Sequence, residues 1–107
     1  MNQKEAKLQE LIRVLAAEYF SRESNRVSLI TVTGVEIAAH GARAVILVTV
    51  LPESAEAQAI EFIHRQLGEF REYVMEHSRM MRVPFFEVRI DKGEKNRQRL
   101  DEIAGTI

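Results

Sequence analysis

A run of eight nearly all-apolar residues near the middle of the chain limits the fold more than any other feature. Residues 44–51 are Ala-Val-Ile-Leu-Val-Thr-Val-Leu, and Pro52 follows them. β-Branched side chains dominate the run and polar ones do not alternate with them, which predicts a strand that is covered on both faces or central in its sheet. Pro52 ends it, since proline lacks the N–H that a sheet ladder needs. Such a strand requires neighbouring strands and covering helices.

The preceding segment alternates apolar and polar residues in the manner of a second strand. Residues 28–37 contain Leu-Ile-Thr-Val-Thr-Gly-Val-Glu-Ile, and Gly34 interrupts the alternation where a bulge or a close contact is expected. Residues 38–41 form the predicted turn. We therefore expect an antiparallel hairpin between these two strands.

Apolar residues also recur at helical spacing on both sides of the hairpin. Residues 8–20 predict an amphipathic first helix. A second apolar stripe follows Ser54, a good N-cap residue, and continues to Met81. One straight helix over residues 55–81 would be about 40 Å long, which is too long for a chain of this size. We therefore predict that the helix breaks at Gly68.

The last part of the chain adds a third strand and a short helical tail. Residues 85–90, Phe-Phe-Glu-Val-Arg-Ile, follow Pro84 and have strand character, residues 91–93 resemble a turn, and residues 96–103 are polar and helical in pattern. With 107 residues and 46% hydrophobic composition, residues 1–107 predict a single domain. Its expected class is α+β, with a three-stranded sheet covered by helices on one face.

Two helices joined at a glycine beside such a sheet are typical of KH-like RNA-binding domains. If the helix restarts at Gly68, its free N–H groups and the positive end of its dipole suit a phosphate. The alternative is a simple helix crossing with no ligand. Arg71, Arg79 and Arg82 are expected on one flank of the second helix, where guanidinium groups can pair with phosphates. A solvated face with intrahelical ion pairs explains the same pattern.

The charge distribution is more informative than its sum. The chain has 15 Lys and Arg against 16 Asp and Glu, so its overall charge does not favour nucleic acid. Residues 62–99, however, hold nine cations against six acids, whereas residues 27–61 hold one cation against four acids. The predicted RNA-binding residues are therefore Gly68, Arg65, Arg71, Arg79, Arg82, Lys92, Lys95 and Arg97. The last three of these, with Arg99, form a second cationic cluster just after the last strand.

Several other classes of protein are disfavoured. The chain has no cysteine, no apolar run near the roughly 20 residues that cross a bilayer, and no hydrophobic signal segment at its start, so we expect a cytoplasmic protein. No Ser has an identifiable base, and the histidines lack the spacing of a metal site, so we predict no enzyme, cofactor or metal. Phe70 and Phe86 are assigned to the core, whereas Tyr73 and Phe85 are left open between packing and base stacking.

The ordered set of motifs resembles the ribosome-binding factor A family. Residues 29–37 resemble the first strand of that family, and residues 44–51 resemble its second strand. The distance from Gly68 to Pro84 matches the family's spacing between the glycine at the helix joint and the proline before the last strand. Asp91 lies where the family has an aspartate at the end of that strand. Among the departures, Gln66 replaces the alanine of an Ala-x-Gly kink and Met81 replaces an arginine.

This resemblance implies a KH-like (type II) fold and a non-enzymatic assembly factor of the small ribosomal subunit. Its partners would be 16S rRNA and the immature 30S subunit. The protein would be needed for late rRNA processing and for growth in the cold. It would act as a monomer, without a cofactor, a membrane or a small-molecule substrate. The alternative is a KH-like or ferredoxin-like dimerisation domain with no ribosomal role, in which the cations are incidental.

Replacing Arg71, Arg79 and Arg82 together with alanine is expected to weaken association with isolated small subunits in a pelleting assay. Thermal stability should stay nearly unchanged, since all three arginines are predicted to lie on a solvated helix flank. Unchanged pelleting would refute the site.

Overall fold

The first helix packs its apolar stripe on a sheet. The computed structural model describes residues 2–23 and 28–105, and part of the polar segment after the first helix lies outside them. Helix α1 (Gln3–Glu23) begins where Asn2 Oδ1 accepts a hydrogen bond from the Glu5 backbone N–H at 2.8 Å, as an N-cap does. The buried face of α1 comprises Ile12, Leu15, Ala16 and Phe20. The predicted amphipathic helix is confirmed and is longer at both ends.

The sheet has three strands in the order β1 (Leu29–Ala38), β2 (Arg43–Leu51) and β3 (Phe85–Ile90). Strands β1 and β2 are antiparallel, and the register shifts between Val32 and Gly34, so both the hairpin and its bulge are confirmed. Strand β2 is central, as its apolar run predicts, and β3 is parallel to it. Beside the bulge, Gln9 Nε2 of α1 donates to the backbone carbonyl of Val35.

The turn of the hairpin needs an unusual backbone. A short 3₁₀ turn, Ala39–Gly41, connects the strands, and its three residues have positive φ angles of 53°, 55° and 91° in chain order. Glycine adopts this region freely, whereas Ala39 and His40 are strained there. The Phe85 N–H donates to Ala42 O at 2.8 Å, so β3 starts beside this turn.

Helix α2 differs most from the sequence prediction. After a 3₁₀ turn, Glu53–Ala55, α2 runs as one helix, Glu56–His77, so the predicted break at Gly68 is wrong. One glycine costs a helix only about 1 kcal/mol, and tertiary packing outweighs that cost because α2 buries Ala59, Ile63, Phe70, Tyr73 and Val74. The predicted N-cap is also wrong, since Ala55 holds that position.

Helix α2 ends earlier than the helical pattern over residues 55–81 predicted. The 22 residues of α2 span about 33 Å at 1.5 Å per residue. Residues 78–84 form an irregular loop, whereas helix was predicted as far as residue 81. Ser78 has extended φ and ψ, and its hydroxyl donates to the Val74 carbonyl at 2.7 Å, which occupies one of the last carbonyls of the helix. The apolar stripe therefore does not continue as a helix to Met81.

Helix α3 (Lys92–Gly105) starts earlier than predicted, and the predicted turn at residues 91–93 is wrong. Asp91 acts instead as its N-cap, because Oδ1 accepts the Glu94 N–H at 3.0 Å. Oδ2 accepts the Thr33 hydroxyl at 2.6 Å and thereby ties α3 to β1. The Glu94 N–H, and secondarily the Thr33 hydroxyl, lower the pKa of Asp91.

The core lies between the sheet and the two longer helices. Register pairs place Ile30, Val50, Val35, Ile46 and Phe86 on one face of the sheet, and all are buried against α1 and α2. The aromatic rings of Phe20, Phe70 and Phe86 join the layers, with ring centres 4.9–5.2 Å apart. Helices on one face of a three-stranded sheet are confirmed, as is the assignment of Phe70 and Phe86 to packing. Within the described residues, none of the helices is long and apolar enough to cross a membrane.

Replacing Asp91 with alanine should lower the free energy of unfolding by about 1 kcal/mol at neutral pH, because the cap of α3 is lost. Asp91→Asn should cost less, since its amide oxygen still accepts the Glu94 N–H. Because the pKa of Asp91 is lowered in the folded protein, its carboxylate stabilises the fold above the unfolded pKa of about 3.9, and this contribution disappears as pH falls through the folded pKa. Urea unfolding at pH 7 and pH 3 measures both effects; an equal gap between wild type and Asp91→Asn at both pH values would contradict the role of the carboxylate.

Candidate nucleic-acid interface

A groove of about 520 Å³ lies between α2 and β3. Its helical wall is formed by His64, Leu67, Gly68 and Arg71, which share one face of α2 at spacings of three and four residues, and residues 85–88 form its other wall. Leu67 is half-buried at the border of the helix stripe rather than at its centre, where the sequence placed it. This groove was not predicted from the sequence, because it depends on where α2 crosses the edge of β3.

Gly68 lies in the groove wall and is exposed to solvent. A Cβ atom added there would meet nothing within 4 Å, so packing within the described residues does not require a glycine. The backbone at Gly68 is helical, and the predicted free N–H donors of a restarted helix are therefore absent at this position. What Gly68 provides is a stretch of helix surface without a side chain, which allows another molecule to approach the backbone closely.

Arg71 does not have the free guanidinium that the sequence predicted. Its Nη1 donates to the Pro84 carbonyl at 2.7 Å and its Nη2 to the Val83 carbonyl at 3.1 Å. The side chain thus bridges α2 to the end of the 78–84 loop, immediately before Phe85 enters the groove wall. Two buried or half-buried carbonyls are satisfied in this way, and Arg71 fixes the position of the loop.

Arg79 and Arg82 lie in that loop, not on the flank of a second helix as predicted. Both are exposed, and neither makes a hydrogen bond or ion pair within residues 2–23 and 28–105. Their guanidinium groups are therefore available to an external anion. Arg82 directly precedes the two residues whose carbonyls Arg71 holds, so the end of this loop lies beside the groove wall.

The remaining predicted cations are divided between free and paired states. Lys92 is exposed at the start of α3 and makes no ion pair within the part of the chain that the structure describes. Arg65 lies 3.6 Å from Glu61, and Arg97 pairs with Glu94, as the intrahelical ion-pair alternative predicts. Hydrogen bonding to Glu94 raises the pKa of Arg97.

Lys95 is more fully engaged than the other cations. Its Nζ lies 2.6 Å from Glu53 Oε1 and 3.0 Å from Glu56 Oε2, and its side chain is only 24% exposed. Hydrogen bonds to Glu53 and then to Glu56 raise the pKa of Lys95. The acidic part of the sequence and the basic part thus neutralise one another here. Among the described residues, Lys95, Arg97 and Arg99 of the second cationic cluster are paired, and Lys92 is not.

The two aromatic residues left open by the sequence have opposite environments. Tyr73 is buried, its ring stacks on His77 with centres 4.0 Å apart, and its hydroxyl lies 3.2 Å from Glu18 Oε2. Phe85 is 66% exposed and lies in the groove wall. Only Phe85 of this pair presents a ring that could stack on a base.

Comparisons with known proteins agree with this architecture. The family described as Ribosome-binding factor A matches residues 4–104. The crystal structure of ribosome-binding factor A from Thermus thermophilus has a TM-score of 0.69 at 22% identity and covers 79% of this chain and 92% of that one. The solution NMR structure of a Thermotoga maritima protein described as a putative ribosome binding factor A has a TM-score of 0.55 at 21% identity, with coverages of 79% and 80%. No curated protein matches.

Helices on one face of an open three-stranded sheet, together with the structural match, confirm the KH-like α+β class. The family match extends over nearly the whole chain. The chain therefore belongs to the ribosome-binding factor A family.

Proposed function

We propose that this protein is an assembly factor of the small ribosomal subunit that binds 16S rRNA on the immature 30S particle. The observation that carries the proposal is the family match over residues 4–104, because members of this family are ribosome-binding factors. The protein would act by occupying and shaping RNA without breaking bonds. The groove between α2 and β3 is the surface we assign to the contact.

The groove has the features that single-stranded RNA requires. Sequence-specific RNA recognition uses unstacked bases, which stack on aromatic rings and enter apolar clefts. Phe85 offers an exposed ring, and Leu67 and Val88 supply apolar walls. Arg79 and Arg82 offer guanidinium groups for phosphates at the loop beside it. Base stacking on one such ring contributes about 1–3 kcal/mol.

Arg71 has a different part in this proposal from the one the sequence suggested. Because its donors are bound to the Val83 and Pro84 carbonyls, it serves as a positioning residue for the loop and not as a phosphate ligand. The triple replacement of Arg71, Arg79 and Arg82 would consequently lower stability as well as binding. The test of the site must therefore separate Arg71 from the other two.

Replacing Arg79 and Arg82 with alanine should weaken binding to isolated 30S subunits and reduce the salt slope of log K by about 1.4, given about 0.7 per phosphate contact on single strands. Thermal stability should change by less than about 0.5 kcal/mol, since both side chains are exposed. Filter binding over a salt series and thermal unfolding give the two quantities. The matched control is Lys7→Ala with Arg13→Ala, which removes the same charge from solvent-accessible cations of α1, away from the groove; an equal loss in the control would refute a local site.

The double-mutant cycle with Arg71→Ala tests the positioning role. Arg71→Ala alone should lower the free energy of unfolding by about 1–3 kcal/mol, because two half-buried carbonyls lose a charged donor. If Arg71 acts through the loop, it should weaken RNA binding in the wild-type background and add little once Arg79 and Arg82 are gone. An undiminished further loss in that background would mean that Arg71 contacts RNA itself.

Gly68→Ala should raise stability by about 1 kcal/mol and weaken RNA binding about tenfold or more. The gain follows from helix propensity, since the new methyl group meets nothing within 4 Å in the protein. The loss follows if an RNA strand lies against the bare backbone. Thermal unfolding and 30S binding are measured together, with Gly93→Ala, a helical glycine outside the groove, as the control. Unchanged binding by the stabilised variant would exclude close approach at Gly68.

The competing possibility is a dimerisation domain, and one observation favours it. The sheet face opposite α1 and α2 carries Leu29 and Leu51, which pair across the strands and are 55% and 58% exposed. Light scattering separates the two functions. A tight dimer without affinity for 30S subunits would replace the RNA-binding proposal.

A further inference from the structure

Helix α3 presents its polar side to the rest of the protein and its apolar side to solvent. Lys95, Gln98, Arg99 and Glu102 share one face at spacings of three and four residues, and they line a depression with the end of β2 and the start of α2. Leu100 and Ile103 project elsewhere and are 66% and 59% exposed. A helix that packs on a core buries its apolar stripe. Burial of apolar side chains therefore does not hold α3 in place.

Ion pairs join α3 to its neighbours. Lys95 contacts Glu53 and Glu56 at 2.6 and 3.0 Å, and Arg99 Nη2 lies 3.0 Å from Glu53 Oε1. The bonds from Lys95, then Arg99, lower the pKa of Glu53. Glu53 is in the 3₁₀ turn before α2 and Glu56 is in its first turn, so two short segments of opposite charge form the contact.

Such a contact is sensitive to competing ions. Arg99 and Glu53 are both more than half exposed, and exposed pairs are screened by salt, with a Debye length of about 3 Å at 1 M. Lys95 and Glu56 are less exposed and are screened less, so the Arg99–Glu53 pair responds to salt first. An isolated helix as short as the 14 residues of α3 is marginal in water, so α3 depends on its attachments. Phosphates of a polyanion present the same negative charge as Glu53 and Glu56 at higher density.

We propose that α3 is a detachable arm. In the free protein, ion pairs of Lys95 and Arg99 with Glu53 and Glu56 hold it at the end of β2, a position that we call its seat. When the protein binds RNA, phosphates replace these carboxylates as the partners of Lys95 and Arg99. This exchange of partners rests on the proposed function. It accounts for a pattern that the groove does not explain: Lys95 and Arg99 follow the last strand in a cation-rich segment but are paired with carboxylates of another element in the free protein. On the RNA, Lys95 and Arg99 become phosphate ligands and α3 leaves the end of β2, while Asp91 keeps the start of the helix tied to Thr33 of β1.

The seat can be tested by measuring a distance between two spin labels. The chain has no cysteine, so Gln58→Cys on α2 and Asp101→Cys on α3, both exposed, accept labels specifically. Pulsed electron paramagnetic resonance should give a narrow distance distribution at low salt. The distribution should widen at least about twofold in a NaCl solution of about 1 M, where the Debye length is only about 3 Å. It should widen similarly in the Glu53→Gln, Glu56→Gln variant at low salt, and its mean distance should shift when purified 16S rRNA is bound, because α3 then leaves the end of β2.

Glu61→Gln is the matched control, because it removes a carboxylate of α2 that pairs with Arg65 and not with α3. The control should keep the narrow distribution. A distribution that stays narrow in high salt and in the double glutamine variant would overturn the ionic seat. An unchanged mean distance with rRNA bound would overturn the exchange of partners. Absence of any rRNA binding would overturn the proposed function and the exchange, whereas the salt and substitution arms would still decide the seat.

Discussion

Strand β2 imposes the arrangement on which the rest of the structure depends, because it is hydrogen-bonded on both sides and its neighbours run in opposite directions. An antiparallel neighbour needs only a short turn, but a parallel one needs a crossover. Helix α2 supplies that crossover, and the loop at residues 78–84 completes it. The groove, the Arg71 bridge and the exposed loop arginines all lie along this connection.

The strands could be predicted closely from the sequence. Residues 85–90 form β3 with the predicted bounds, and the central position of β2 follows from its apolar run, because a strand with two neighbours and a covered face excludes polar residues. The bulge at Gly34 was also predictable, since a glycine that interrupts a strict alternation marks a local change of register. These features are local consequences of side-chain chemistry.

The candidate site was harder to predict from the sequence, because tertiary contacts determine which of its residues are free to bind a ligand. A glycine in a helix is compatible with a break or with continuity, and the packing of Phe70 and Val74 beyond the glycine selected continuity. The carbonyls that Arg71 meets are 12 and 13 residues away, and Glu53 and Lys95 are 42 positions apart along the chain. No spacing rule for one helix can reveal which cations are engaged by such partners.

The bond from Gln9 to Val35 has a consequence for the behaviour of the protein in a crowded solution. Strand β1 is long and lies at the border of the sheet, where unpaired carbonyls invite another chain to add a strand and begin an aggregate. The Gln9 amide donates to the Val35 carbonyl of this strand beside the bulge, which itself distorts the strand. Growth of the sheet into a fibre is thereby discouraged at the outer side of the hairpin.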